Sequence, residues 1–264
     1  MVGQGRQVPF ASLLELTTAF GTCHQVGVHA DGMPTPGDPA RFAGLWVGHA
    51  VVEKVQQVTA SANPAPQPVS SEASLRMIVH VDAAGQARLL REAIVMWIDG
   101  VADAAGTLTE SGRFIVFADG QAISTWKTQN PVLALRLKGV SEKAGKLAGQ
   151  RMSSAGFSFV GPRTFSTSGG SVFGQGTATV TLQSGAADAD GLNPYRHRYH
   201  PDHAQGVAFS RAITLAFSSP PAGQPETALR GSYAESISGL YRSPVSVSGS
   251  FSLSRSLGPV TFVP

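Results

Sequence analysis

The sequence predicts an all-β protein: a single domain of about ten mainly antiparallel strands, forming a sandwich or partly closed barrel, with one or two short helices. Two observations lead to this fold class. Apolar and polar residues alternate with a period of two along several segments, which is typical of strands with one buried face. The chain also has 30 glycines and 17 prolines among its 264 residues, which argues against a mostly helical protein.

The alternation is clearest in three segments. In residues 207–217, large apolar residues alternate with small or polar ones, and Arg211 alone interrupts the apolar set. Serines alternate with apolar residues in residues 245–253, and threonines do so in residues 178–182. Each segment, like residues 45–58, is predicted to be a strand, and a solvated face of this kind favours antiparallel sheets.

Turn-forming residues predict three hairpins. The first joins residues 75–81 to residues 87–98 through Asp82-Ala83-Ala84-Gly85, whose glycine can take a positive φ. The second turns at Asp119-Gly120, a strong short hairpin signal. The third turns at Tyr241-Arg242-Ser243-Pro244. The strands of the second and third hairpins are residues 114–117 with 122–126, and residues 232–240 with 245–253.

Two segments favour helix. Residues 10–20 have Ser12 as an N-cap candidate and a glycine after the last turn. Residues 141–152 have Ser141 as an N-cap candidate, followed by several good helix formers.

Proline, alanine and serine dominate residues 31–39 and 60–70, a composition that favours extended, solvated backbone. The second of these segments is expected to be a long surface loop inside one domain, because predicted strands flank it. We therefore expect a loop-rich lead-in with a short helix over residues 1–43 and a β-domain over residues 44–264.

Histidines are concentrated in residues 193–203. The sequence His200-Pro201-Asp202-His203 suits a type I turn, because proline favours the second position of that turn. The turn would direct His200 and His203 to one point. His197 or Asp202 would then complete a three-ligand site for zinc, copper, iron or manganese. The alternative is an ordered loop in which these side chains bind carbonyls and stack on one another.

Aromatic side chains offer a second candidate site. Trp46, Trp97 and Trp126 each lie on a predicted strand, where core packing is the default interpretation. The alternative is an exposed platform that binds sugars, which the burial of all three would exclude. Two further histidines are assigned no chemistry: His49 is expected to be an ordinary sheet residue, and His80 to face solvent or a neighbouring layer.

Several function classes find no support in the sequence. The 20 basic and 17 acidic residues are spread along the chain, too dilute for a dedicated nucleic-acid surface. The single cysteine, Cys23, excludes an internal disulfide framework and a multi-cysteine zinc site. Neither a Gly-x-Ser-x-Gly elbow nor a P-loop occurs. No signal peptide or membrane-spanning apolar segment is recognised.

Three stretches together resemble a known kind of segment. They are Gly44-Leu45-Trp46-Val47-Gly48, residues 75–90 with His80-Val81-Asp82-Ala83-Ala84-Gly85, and residues 193–203. Over residues 44–256 the chain resembles a β-rich segment that recurs in very large exported or surface proteins of environmental bacteria. The resemblance implies an extracellular module of a longer protein.

The sequence thus favours a non-catalytic structural or binding module of an exported or surface protein, with other protein modules or surface glycans as partners. Exposed edge strands would suit such a module to assembly or adhesion. Two alternatives stay open. One is a metal-dependent hydrolytic or oxidative enzyme that uses the histidine cluster. The other is a carbohydrate-binding module.

Overall fold

The computed structural model describes residues 39–59, 62–139, 141–143, 146–154, 159, 161–168, 176–185, 207–218 and 227–264. Within them the protein is all-β, as predicted. The strands are β1 (Gly44–Gln57), β2 (Gln67–Val81), β3 (Ala87–Leu89), β4 (Glu92–Ile98), β5 (Val101–Ala102), β6 (Leu108–Glu110), β7 (Arg113–Phe117), β8 (Leu137–Lys138), β9 (Ser141–Lys143), β10 (Lys146–Ala148), β11 (Arg151–Ser153), β12 (Arg163–Thr164), β13 (Ser166–Ser168), β14 (Thr177–Ser184), β15 (Phe209–Phe217), β16 (Ala228–Ser238), β17 (Val245–Leu257) and β18 (Thr261–Val263). The helices are α1 (Gly120–Gln129), α2 (Pro131–Leu135) and a 3-10 turn at Pro39–Phe42.

The large sheet contains nine strands in the order β12-β3-β2-β1-β17-β16-β15-β14-β13. All its ladders are antiparallel. The sheet is not closed into a barrel, yet its two outermost strands, β12 and β13, follow each other in the chain. Phe165, between them, is buried and donates its N–H to the Ala87 carbonyl at 2.9 Å. Residues 163–168 therefore meet both edges of the sheet.

The main core lies on the inner face of this sheet. The predicted alternation of β2 is confirmed: Met77, Val79 and Val81 are buried in this core, with Leu75 packed against it. The remaining buried members come from the other long strands, from β3 and from segments outside the strands: Phe42, Trp46, Ala50, Ala87, Leu89, Phe159, Phe165, Ala178, Val180, Leu182, Ile213, Leu215, Phe217, Leu229, Tyr233, Val247, Phe251 and Leu253. The outer face carries the alternating serines and threonines.

The second sheet has the order β11-β4-β7-β18, with β8 beside β4, and its β18 runs parallel to β7. One of its faces packs on the outer side of β1 and β2. The buried residues of that contact are Leu45, Ile78, Leu90, Ala93, Val95, Val116, Met152 and Leu257. Helices α1 and α2 cover its other face, where Ile94, Ile98, Ile115, Phe117, Ala122 and Trp126 are buried. The architecture is thus a curved sheet, a smaller sheet and a helical layer.

The first predicted hairpin is confirmed in part. Strand β2 pairs with β3 across the Asp82–Gly85 turn, where Gly85 has φ 80°. However, the chain leaves the large sheet after Leu89, and residues 92–98 form the middle of the second sheet. The physical reason is that β4 is apolar on both faces, so it is stable only between two apolar layers.

The second predicted hairpin is wrong. Strand β7 ends at Phe117, and Asp119 begins α1 because its Oδ1 accepts the N–H of Ala122 at 2.8 Å. An aspartate before a glycine serves as a helix N-cap as readily as a turn residue. Ala122 and Trp126 are four residues apart and share the buried face of α1, so Trp126 lies on a helix.

The predicted helix at residues 141–152 is also wrong. The described part of this segment contains the short strands β9, β10 and β11. Gly149 adopts φ 83°, a left-handed conformation that ends any regular helix there. Strand β11 extends the second sheet and buries Met152.

The other predicted elements agree with the structure or lie outside its described residues. The third hairpin is confirmed by the antiparallel pairing of β16 with β17. The surface loop is shorter than predicted, because β2 begins at Gln67 and lengthens its ladder with β1. The predicted helix at residues 10–20 lies outside the described residues. No helix in the described ranges is long and apolar enough to cross a membrane.

Candidate functional site

An open groove runs across the outer face of the large sheet. Four residues stand directly opposite one another on neighbouring strands: Arg76 on β2, His49 on β1, Ser252 on β17 and Arg230 on β16. Because neighbouring strands lie about 4.8 Å apart, this row spans roughly 14 Å from the backbone of Arg76 to that of Arg230. We call these four residues the basic row.

The pleat of the strands directs the basic row outwards. On β1, Trp46 and Ala50 are buried in the main core, whereas the odd-numbered His49 is exposed. On β17, Phe251 and Leu253 are buried, and Ser252 between them is exposed. Alternation with a period of two therefore brings the row to one surface.

The groove around the basic row has a volume of about 920 Å³. Its lining is made of basic side chains, hydroxyls and small or apolar residues. The lining residues are Val47, Gly48, His49, Val51, Arg76, Ser218, Arg230, Gly231, Ser250, Phe251, Ser252 and Ser254. None of these is a carboxylate. Glu53 lies at the margin, where its Oε1 accepts a hydrogen bond from the Ser250 hydroxyl at 2.7 Å.

The charges of Arg76 and Arg230 are not neutralised by the described part of the protein. There, Arg76, His49 and Arg230 make no side-chain hydrogen bond and no ion pair. Arg230 and His49 are exposed, and Arg76 is half-buried. The groove therefore presents positive charge beside hydroxyl groups, a combination that suits an anionic, hydrogen-bonding ligand.

A second polar cluster lies inside the large sheet. Glu235 is only 4% exposed, and it accepts hydrogen bonds from the Tyr233 hydroxyl at 2.7 Å and from Arg211 Nη2 at 3.0 Å. Arg211 Nε also donates to its other carboxylate oxygen. Burial raises the pKa of Tyr233, and the neighbouring carboxylate raises it further. Burial opposes the charge of Arg211, but the hydrogen bonds that Arg211 donates to Glu235 leave the pKa of Arg211 above its usual range.

This buried cluster is structural in character. Its side chains satisfy one another, and its neighbours on the same strands, such as Ile213, are packed core residues. Arg211 is the residue that interrupts the apolar alternation of its strand, so the sequence marks the position without revealing its partners.

His80 lies between the two sheets. It is 2% exposed and stacks on Phe262, with ring centroids 4.8 Å apart. Its Nε2 is 3.4 Å from the Val260 carbonyl, and its Nδ1 has no partner among the described residues. Burial lowers the pKa of His80, and the charge of the cross-strand neighbour Arg88 lowers it further. The sequence left two environments open for His80, solvent or a neighbouring layer, and His80 packs against the neighbouring layer.

The predicted metal ligands His197, His200, Asp202 and His203 lie outside the described residues. Among the residues that the structure describes, no three histidine, cysteine, aspartate or glutamate side chains are grouped as a metal site would require. The metal site therefore stays a prediction.

The three tryptophans do not share one surface. Trp46 is fully buried in the main core, where its Nε1 donates to the Phe42 carbonyl at 2.8 Å. Trp126, on α1, is buried against the second sheet. Trp97 is half-buried and packs edge-to-face on Phe114, with centroids 4.8 Å apart. Of the three tryptophans, only the half-buried Trp97 is exposed enough to contact a sugar, the alternative that the sequence left open.

No protein-family model matches the sequence, and no curated protein matches it significantly.

The basic row was not predicted from the sequence as a site. Arg76 and Arg230 are far apart in the chain, and His49 looks like an ordinary strand residue. Only the register of β2, β1, β17 and β16 reveals that they stand in one line.

Proposed function

We propose that this protein is a non-catalytic binding module that holds a negatively charged ligand in the groove around the basic row. One observation carries the proposal: Arg76, His49 and Arg230 face one groove without a described anionic partner. Elsewhere in the described chain, by contrast, Arg136 is paired with a carboxylate, that of Glu110, at 2.8 Å.

The shape of the groove also favours binding over catalysis. It is an open surface formed by four neighbouring strands. Among the described residues, no buried acidic or basic side chain lines it. Catalytic sites, in contrast, exclude water and shift the pKa of their reacting groups by burial. The resemblance noted in the sequence supports an exported or surface protein as the setting, with surface glycans or other protein modules as partners.

The experiment compares two double variants in their binding to immobilised dextran sulfate, polyphosphate and polyglutamate. Arg76→Ala/Arg230→Ala removes the ends of the basic row. Arg163→Ala/Arg242→Ala removes the same charge from exposed positions outside the groove. We expect the first variant to lose at least tenfold in affinity for at least one polyanion, whereas the second loses less than threefold. Equal losses in both variants, or no binding by the wild type, would refute the proposal.

The metal-dependent enzyme remains the alternative, because three histidines fall within seven residues in His197–His203. Elemental mass spectrometry of protein purified without a histidine tag tests it, beside the variant His200→Ala/His203→Ala. Near-stoichiometric metal that disappears in the variant would favour this alternative. Absence of metal after incubation with zinc, copper, iron and manganese salts would exclude it.

A further inference from the structure

The inference drawn here rests on the proposed function and specifies its ligand. We infer that the groove binds a linear acidic polysaccharide that lies across the strands. Its carboxylate or sulfate groups bind Arg76 and Arg230, and its sugar hydroxyls bind the serines between them.

The length of the basic row is the first argument. Its two arginines stand on strands separated by two others, so their backbones lie roughly 14 Å apart. A linear ligand with repeated charges can contact both, and the second contact is then intramolecular and favoured by a high effective concentration.

The hydroxyl groups between the arginines are the second argument. Ser252 and Ser254 lie on the outer face of β17, and Ser252 belongs to the basic row itself. A serine hydroxyl both donates and accepts a hydrogen bond without carrying charge. Sugar hydroxyls have the same double capacity, so they complement this surface better than a ligand that carries only anionic groups.

Other polyanions fit the groove less well. Single-stranded nucleic acids bind through bases stacked on aromatic side chains, but the one phenylalanine, tyrosine or tryptophan in the described lining, Phe251, is only 3% exposed. An acidic peptide cannot add to the sheet at three of the four strands of the groove. At the basic row, β1, β17 and β16 are interior strands, and their backbone groups already pair with a neighbour on both sides.

The test uses oligogalacturonides from the monomer to the octamer, with isothermal titration calorimetry on the purified chain. For the wild type we expect a steep rise in affinity, at least tenfold, once the oligomer is long enough to reach both arginines. Arg76→Ala and Arg230→Ala should each abolish that rise and leave the weak binding of short oligomers. The double variant should lose little more than either single variant. Arg76→Lys, which keeps the charge, should retain most of the rise.

Two further comparisons separate this inference from the proposed function. Ser252→Ala should weaken the binding of the octamer severalfold, and should weaken it more than it weakens the binding of polyphosphate. Three outcomes would overturn the polysaccharide assignment and leave the proposed binding of anions intact. They are an affinity for polyphosphate or polyglutamate equal to that for the octamer, tighter binding of single-stranded DNA than of the octamer, and an affinity for oligogalacturonides that does not depend on their length. Failure of every polyanion to bind would overturn both.

Discussion

Replacement of Glu235 by leucine tests the role of the buried polar cluster. The carboxylate accepts hydrogen bonds from Tyr233 and Arg211 and is almost inaccessible to water. Leucine has a similar size, but it removes the buried carboxylate to which the Arg211 guanidinium and the Tyr233 hydroxyl donate their hydrogen bonds. Removing one partner of a buried ion pair costs about 3–5 kcal/mol, because the remaining charge has lost its solvation and its partner. Since whole domains are stable by about 5–15 kcal/mol, Glu235→Leu is expected to remove a large share of the stability.

Urea unfolding followed by circular dichroism measures the effect. The control is Glu53→Gln, an exposed position with one hydrogen bond to Ser250, where we expect a change within about 0.5 kcal/mol. The double variant Arg211→Met/Glu235→Leu should recover most of the loss, because replacing both partners by apolar groups is close to neutral. A cost for Glu235→Leu below about 1 kcal/mol, typical of exposed pairs, would refute the reasoning. A double variant no more stable than Glu235→Leu would do the same.

Two further predictions concern His80 and the start of α1. Because burial lowers the pKa of His80 below its usual 6.5, the unfolded chain binds the proton more tightly than the folded protein does. The stability of the wild type is therefore full above pH 6.5 and decreases as the pH falls below 6.5. Between pH 7.5 and pH 5, the urea midpoint of His80→Phe should decrease less than that of the wild type. Asp119→Ala should destabilise the protein by about 1 kcal/mol in thermal unfolding, because the N–H of Ala122 loses its cap. Asp119→Asn should behave like the wild type, and an equal loss in both variants would contradict the capping role.

The sequence predicted those parts of the fold where one local pattern has one physical meaning. Strands β15 and β17 were found because alternation along a strand directly records which face is buried. Asp119-Gly120 was misinterpreted because the same pair suits a hairpin turn and a helix start. The choice depends on the packing of Trp126 against the second sheet, which is a tertiary contact.

The candidate site depended on tertiary information of another kind. Each member of the basic row is an unremarkable polar residue on its own strand. Its significance comes from the register between strands that are distant in the chain, such as Arg76 opposite His49 and Ser252 opposite Arg230. A shift of one residue in any of these ladders would direct the arginines into the core. The sequence indicated a solvated face, but it could not align the residues across that face.

The segment at residues 163–168 also determines how the large sheet can meet other chains. Since this one segment pairs with β3 on one side and β14 on the other, a single protease cut there would free two rows of backbone hydrogen-bonding groups at once. Two cut molecules could then exchange strands with each other. In the intact protein this segment occupies both positions, so the backbone groups of β3 and β14 with which it pairs are not offered to a partner.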